Sequence, residues 1–424
     1  MADEHVPSDS EKPSSVDVLL EELTHTPKPG WRGLLQSALI PLLAVFTGLL
    51  VGGIFIVFTT EQVYAAFSEG LGSGFSTAWD TLWGAYKALF AGALGDPAAI
   101  RAAFASGDEE AIRRAINPFL ESLVTSTPLI FTGLAVMLGF RVGLFNIGAE
   151  GQLFFGAIFA TYVGYRFTGL PPVIHVPFAL AAGALGGGLW GFIPGWLKAK
   201  TGGHEVINTI MMNFIALRMM DWLLRGPMQD PEATNPLSPV IAASAHIPRL
   251  GENPIRFHIG FFIALALAGL TWWFLFKTKW GFMLRTVGAN PNAARYAGIN
   301  IVGATVLAMS LSGALAGLAG ANEILALNFR LAGGFATGHG FTAIALALLG
   351  KNHPAGVVLA ALLFGTLQSG ATSMQVNAGI PVDIIAVVQA LVLMFIAAPA
   401  IVRTIYRLKE TENVDEPLVT SSWG

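Results

Sequence analysis

The stretch RVGLFNIGAEGQLFFGA, Arg141 to Ala157, places two amides and a carboxylate, Asn146, Gln152 and Glu150, among glycines between two long apolar runs. Glycine lets a backbone leave the helix, and non-helical backbone at membrane depth is tolerated only where protein surrounds it or water reaches it. A carboxylate facing hydrocarbon is unfavourable, by about 2.5–3.5 kcal/mol for an Asp at mid-membrane. Glu150 must therefore face a cavity, a partner or the interface. Two jobs are open to Asn146, Glu150 and Gln152. They cap the following helix and satisfy the backbone groups freed by the break, or they touch a polar solute directly.

A second stretch, FRLAGGFATGHGFTAIAL from Phe329, repeats the plan of FRVGLFNIGAEGQLFFGA from Phe140: an apolar run, Phe-Arg, glycines, and a return to apolar residues. Gly333, Gly334, Gly338, His339 and Phe341 lie in it, as Gly148 lies in the first. Glycine-interrupted segments at matching positions of two halves point to a transport pathway.

A third stretch, KWGFMLRTVGANPNAARYAGIN, runs from Lys279 to Asn300. Asn290 and Pro291 suit a helix N-terminus and Gly298 suits a stop, so a short helix is expected between two longer ones. It is either a plain connection or, with Arg285, Asn290, Arg295 and Tyr296 among small residues, a docking element for another protein.

Other chemistries lack their residues. The chain has no cysteine, hence no disulfide, no thiolate ligand and no cysteine nucleophile. His204, His339 and His353 lack the spacing of a zinc site. There is no carboxylate ladder suited to proton coupling, no GxxxxGK[ST] for ATP hydrolysis by the chain itself, and no nucleophile, base and metal constellation of an enzyme. Glu205, with His204, Asn208 and Asn213, suits capping and interhelical hydrogen bonds at one helix mouth. Glu323 and Asp383 sit near helix ends, where capping or loop anchoring is expected. Arg218 and Asp221, three apart, suit a pair on one helix.

The elements that must position these residues are membrane helices. Of 424 residues, 54% are hydrophobic and 12% charged, against about 25% charged in a soluble domain; the mean hydropathy is +0.61. A net charge of −3 without a basic patch excludes nucleic acid as a partner. A crossing helix needs about 20 apolar residues. Ten segments are expected, near 33–58, 117–140, 148–166, 173–197, 205–225, 258–277, 300–325, 339–350, 355–373 and 382–403, of which 339–350 is too short to span alone.

Residues 1–30 are too acidic for a signal peptide and are expected as a cytoplasmic tail; within them, SSVDVLLEELTH suits either a surface helix or a solvated tail. A cytoplasmic start puts Lys198, Lys200, Lys277, Lys279, Lys351, Lys409, Arg285, Arg295, Arg403 and Arg407 inside, as the positive-inside rule requires. The reading is thus an all-α polytopic protein: a transmembrane domain over 31–405, an extracytoplasmic or interfacial insertion over 60–116, a cytoplasmic helix within 279–299, and a cytoplasmic tail over 406–424. The two glycine-broken stretches are five crossings apart, on opposite sides, which suggests an inverted repeat of two five-helix halves.

Together, GLFNIGAEGQLFFGA, GGHEVINTIMMNFIA, LRTVGANPNAARYAGI and GFTAIALALLGKNHPAGVVLAALLFG resemble the permease subunits of bacterial ABC importers for nucleosides and simple sugars, a group that also holds ribose and branched-chain amino-acid permeases. The resemblance spans most of 117–403. It implies a type II importer-like fold in the bacterial cytoplasmic (inner) membrane, an extracytoplasmic substrate-binding lipoprotein, a second permease subunit and a separate cytoplasmic ATPase that uses ATP, with no cofactor on this chain. It favours a heterodimer over a homodimer. Carried onto this sequence, Gly288, Asn290, Pro291, Ala293, Ala294, Arg295 and Gly298 belong to the helix that couples to the ATPase. Asn146, Gly148, Glu150, Gln152, Gly333, Gly334, Gly338, His339 and Phe341 line or support the pathway. The long N-terminal tail and the 60–116 segment depart from the smaller members. The competing class is a secondary transporter or channel working without ATP, in which the 279–299 helix has no purpose.

Overall fold

The computed structural model describes residues 31–335 and 338–408. The acidic N-terminal tail and residues 409–424 lie outside the described residues, and so does the surface helix considered for 15–26. The described residues form helices joined by loops; two isolated bridges, Leu237 with Ala332 and Arg249 with His258, are the only extended pairings among them.

In chain order the helices are α1 Trp31–Thr59, α2 Glu61–Glu69, α3 Leu71–Leu94, α4 Pro97–Ser106, α5 Glu109–Arg141, α6 Ala149–Arg166, α7 Pro172–Thr201, α8 Glu205–Leu224, α9 Gly260–Lys277, α10 Lys279–Ala289, α11 Pro291–Tyr296, α12 Ile301–Glu323, α13 His339–Leu349, α14 Pro354–Ala378, α15 Val382–Ala397 and α16 Pro399–Ile405. A π turn over Ile324–Asn328 follows α12. Each of the ten apolar segments expected from the sequence contains a helix. Six helices, α1, α5, α7, α9, α12 and α14, are long and apolar enough to cross a membrane; α3 and α4, bent by 43° at their junction, make a seventh when taken as one.

The core forms around α5, α6, α7 and α12. Small residues explain how closely these helices lie. A Cβ on Gly313 or Gly187 would strike the other residue's carbonyl oxygen, and one on Gly320 would strike that of Leu153. With no hydrophobic drive between helices in lipid, such close backbone packing supplies the dispersion that holds them. Helix α5 sits deepest, with an unbroken buried run from Ser126 to Gly139.

The N-terminal helices flank this core. Helix α1 packs on α15, with Gly48 against Val392 and Gly52 against Val388. The 60–116 segment, expected as an insertion at the interface, is helical, and α3 within it lies along α14. Ala85 and Leu89 join Leu367, Ala371 and Met374 in one apolar cluster, and Ser122 Oγ donates to Ala93 O at 2.6 Å. The opposite face of α3 exposes Phe75, Trp79 and Trp83, aromatics that suit a lipid-facing surface.

The two ends of the bundle differ. At one, Arg141 Nε donates to Asn352 O at 2.6 Å, Arg141 and Arg285 lie over the Phe276 ring at 5.4 and 5.1 Å, and Gly288 packs on the Arg141–Val142 backbone. At the other, the 226–257 loop runs along the chain after α12: Ser238 N donates to Leu331 O, Ile241 N to Phe329 O and Ile247 N to Leu325 O. Ion pairs of Arg113 with Glu252 and of Arg256 with Glu121 tie this loop to α5.

Candidate translocation site

The chain turns at 142–148 and re-enters the bundle, and there its amides close on one another. Asn146 Nδ2 donates to Gln152 Oε1 and to Ser312 Oγ, both at 2.8 Å, while Asn146 Oδ1 accepts from Gly148 N at 3.0 Å and Gln152 Nε2 at 3.2 Å. Ser312 Oγ in turn donates to Ala135 O at 2.6 Å. From α8, Asn213 Oδ1 accepts from Gly151 N at 2.8 Å and its Nδ2 donates to Ile147 O at 2.9 Å. The network ties α5, α6, α8 and α12 through the break, and Asn146 and Gln152 are buried. Buried polar groups are tolerated when so satisfied.

An Asn213→Ala variant would leave the Gly151 N–H and the Ile147 carbonyl without partners, at about 1–3 kcal/mol per group. The purified variant is expected to unfold at a clearly lower temperature than the parent, whereas Asn208→Ala, at a half-buried position on the same helix, should not.

The second glycine-broken segment meets the first at Glu150. Its two carboxylate oxygens accept from Gly338 N and Gly340 N, each at 2.7 Å. Glu150 lies in the first turn of α6 and His339 opens α13, so two helix N-termini meet head to head around one buried carboxylate. From there α6 runs to the end covered by the 226–257 loop, and α13 to the end that carries α10. Each N-terminus presents unpaired N–H groups and a positive dipole end. Glu150 accepts from the α13 end, while Asn213 Oδ1 serves Gly151 N of α6; backbone N–H groups and the positive end of α13 thus favour a carboxylate at that depth. The approach is too close for side chains: a Cβ on Gly340 would strike the Glu150 backbone nitrogen. Helix α13 has 11 residues, about 16 Å at 1.5 Å per residue, short of the roughly 30 Å hydrocarbon core.

The other sequence candidates fall at three places. His339 starts α13 and is half-buried, and Phe341 on its first turn is exposed. Gly333 and Gly334 lie apart from Glu150, in the exposed turn after the π segment, where Gly334 has φ +78°. At the far end of the molecule, Asn290 Oδ1 accepts from Asn292 N and Ala293 N at 2.9 and 3.0 Å, Pro291 takes the first helical position, and Gly298 adopts φ +77°. Ala294 is buried and anchors α11, while Asn290, Pro291, Ala293, Arg295 and Gly298 are exposed; Tyr296 is 94% exposed. Gly288 stands apart from these. It belongs to α10, and its missing side chain is what lets α10 rest on the turn after α5.

Two further readings can be placed. Glu205 pairs with Lys198 at 2.8 Å, and Arg218 with Asp221 at 3.6 Å; the second pair is largely exposed and contributes little. Ser312 escaped sequence reasoning because it sits in LSGALAGLAGA, where a serine reads as one more small packing residue. Glu323, expected as a cap or loop anchor, lines a cavity with Asn328 and Arg330.

Residues 119–397 match the family model described as branched-chain amino acid transport system / permease component. The chain belongs to this family. Among curated relatives of this permease component, the guanosine ABC transporter permease protein NupP of Bacillus subtilis is 38% identical over 87% of the chain and 95% of that protein. The glucose ABC transporter permease protein TsgB13 of Haloferax volcanii is 40% identical over 65% of the chain and 75% of its own length. The nucleoside ABC transporter permease protein NupB of Lactococcus lactis is 33% identical over 87% and 92%. The same two bacteria hold NupQ and NupC, which match 58% of the chain in each case. No solved structure matches.

Proposed function

We propose that the chain is the longer permease subunit of a bacterial ATP-driven importer. It contributes half of the pathway for a nucleoside or simple sugar handed over by an extracytoplasmic binding lipoprotein. A separate cytoplasmic ATPase docks on α11, and this chain hydrolyses no ATP and holds no cofactor. The observation that carries the reading is α11 itself: a capped helix anchored by one buried residue, Ala294, which leaves Arg295 and Tyr296 free for another protein. A secondary transporter has no use for such a projection.

In this reading the N-terminus is cytoplasmic, the membrane is the inner membrane, and ten crossings form two inverted five-helix halves. The head-to-head start of α6 and α13 supports the inversion, since equivalent helices related by an axis in the membrane plane run in opposite directions. Helix α3 is placed in the bilayer beside α14, in preference to the surface position expected for 60–116. A heterodimer is favoured because each of two bacteria holds a pair of such permeases, one matching 87% of this chain and the other 58%. ATP binding draws the two ATPases together, moves α11, and switches the pathway from outward to inward opening by favouring one state.

Arg295→Glu reverses a charge on the exposed face of α11 and touches nothing inside the chain. The reconstituted complex is expected to lose at least about tenfold of its ATPase stimulation by loaded binding protein, about 1.4 kcal/mol of docking, with unchanged yield and unfolding temperature. Gly288 is unsuited to this test, because any side chain there strikes the Arg141 carbonyl. Normal import by the Arg295→Glu complex, or solute movement by the chain alone in liposomes without ATP, would sink the reading.

A further inference from the structure

A cavity of about 380 Å³ opens at the end of the molecule remote from α11, lined by Glu323, Asn328, Arg330, Gly333, Gly334 and Phe335. Its size falls in the range of small-molecule sites, about 300–1,000 Å³. Three observations mark it out. The first is the backbone. Helix α12 loosens into a π turn at Ile324, Phe329 turns left-handed at φ 57°, and Leu331 to Phe335 carry no helix. The 236–247 segment hydrogen-bonds along this chain at Leu325, Phe329, Leu331 and Gly333, and Gly333 is also part of the cavity wall. Non-helical backbone within a span persists where it lines an aqueous cavity.

The second observation is charge. Glu323 and Arg330 line the same small cavity, yet neither forms an ion pair with the other or with any described residue. Asn328 spans its own turn, donating from Nδ2 to the Glu323 backbone carbonyl at 3.3 Å, and also neighbours the carboxylate. An ionisable side chain within a membrane span is a functional site by default. Held apart, a carboxylate and a guanidinium present an acceptor-only group and a donor-only group to the same space. The third is the wall: Phe335 is 7% exposed and supplies an apolar side.

We infer that this cavity is a transient solute subsite that reads a vicinal diol. The neutral ligand class is a molecule with two adjacent hydroxyls, as in a ribose or a hexose. The Glu323 oxygens accept from both hydroxyls, Arg330 donates to the hydroxyl or ring oxygens, and Phe335 packs against the apolar sugar face. A net-neutral pair of opposite charges suits a neutral polyol and disfavours both phosphorylated and cationic analogues. The assignment rests on the importer reading and adds where and by what feature the solute is held. Affinity must be weak, because a pathway site has to release its solute.

The test uses the complete transporter in proteoliposomes, permeases with ATPase, and measures equilibrium binding of labelled guanosine and of labelled glucose in the absence of binding protein. The expected result is millimolar-range retention of one or both, at least tenfold weaker for 2′,3′-dideoxyguanosine than for guanosine, with Glu323→Gln and Arg330→Gln abolishing that difference. Whichever probe binds identifies the source of the diol. The yield of monodisperse complex and its unfolding temperature, expected at parental level for both variants, show that they are folded. Absence of retention by the parent, equal binding of the dideoxy analogue, or parental binding by both variants would each overturn the subsite. A parental complex that fails ATP-dependent import altogether would instead overturn the importer reading.

Discussion

Glu150→Ala is expected to abolish transport. The carboxylate is the acceptor for Gly338 N and Gly340 N at 2.7 Å, and alanine leaves both N–H groups at a buried helix end with nothing to accept them. Each orphaned group costs about 1–3 kcal/mol, more where the lost bond was charge-assisted. The charge facing the positive end of α13 goes as well. A combined loss of about 3 kcal/mol corresponds to roughly a hundredfold change in any equilibrium that depends on this junction. Uptake by reconstituted Glu150→Ala transporter should therefore fall by about two orders of magnitude.

Glu150→Gln separates charge from contact. It keeps one acceptor oxygen but turns an NH₂ donor toward one of the two backbone N–H groups, so it should resemble alanine more than the parent. Parental uptake by both variants would mean that the junction of α6 and α13 is unimportant to the transport cycle.

Gly317→Val should prevent the helix bundle from forming. A Cβ at Gly317 would lie 2.9 Å from Gly187 Cα and closer still to the Gly183 carbonyl oxygen. These are backbone atoms, with no rotamer to move out of the way. Overpacking typically costs about 1–3 kcal/mol where side chains adjust, and more is expected where two helices must separate along their length. The measurement is the yield of monodisperse protein and its unfolding midpoint in detergent. The control is Gly269→Ala on α9, where an added Cβ meets nothing within 4 Å; it should be neutral or slightly stabilising through helix propensity. Equal behaviour of the two variants would refute the claim that α7 and α12 are held by backbone contact.

Local chemistry was legible without a structure. Asn290-Pro291 and Gly298 marked the start and stop of α11, because an Asx cap, a fixed proline φ and a left-handed glycine are properties of single residues. The ten apolar segments marked ten helical regions for the same kind of reason, since apolar length is local. The glycines of Arg141–Ala157 and Phe329–Leu346 announced breaks, because a glycine-rich run with polar side chains does not belong in a lipid-facing helix.

Partnership was not legible. Nothing in the linear order says that Glu150 serves residues 188 and 190 positions later, or that Ser312 completes the amide network of Asn146. The roles of Gly333 and Gly338, alike in the sequence, diverged: one borders a cavity remote from α11, the other gives its N–H to a buried carboxylate. The same holds for 60–116, whose aromatic periodicity reads as an interfacial helix but does not name its neighbour; α3 packs on α14. Sequence alone determined which segments are helical, where they break and which polar groups need an answer. Only the tertiary structure decided which groups answer them, because a hydrogen-bond partner across a bundle is set by how distant helices pack.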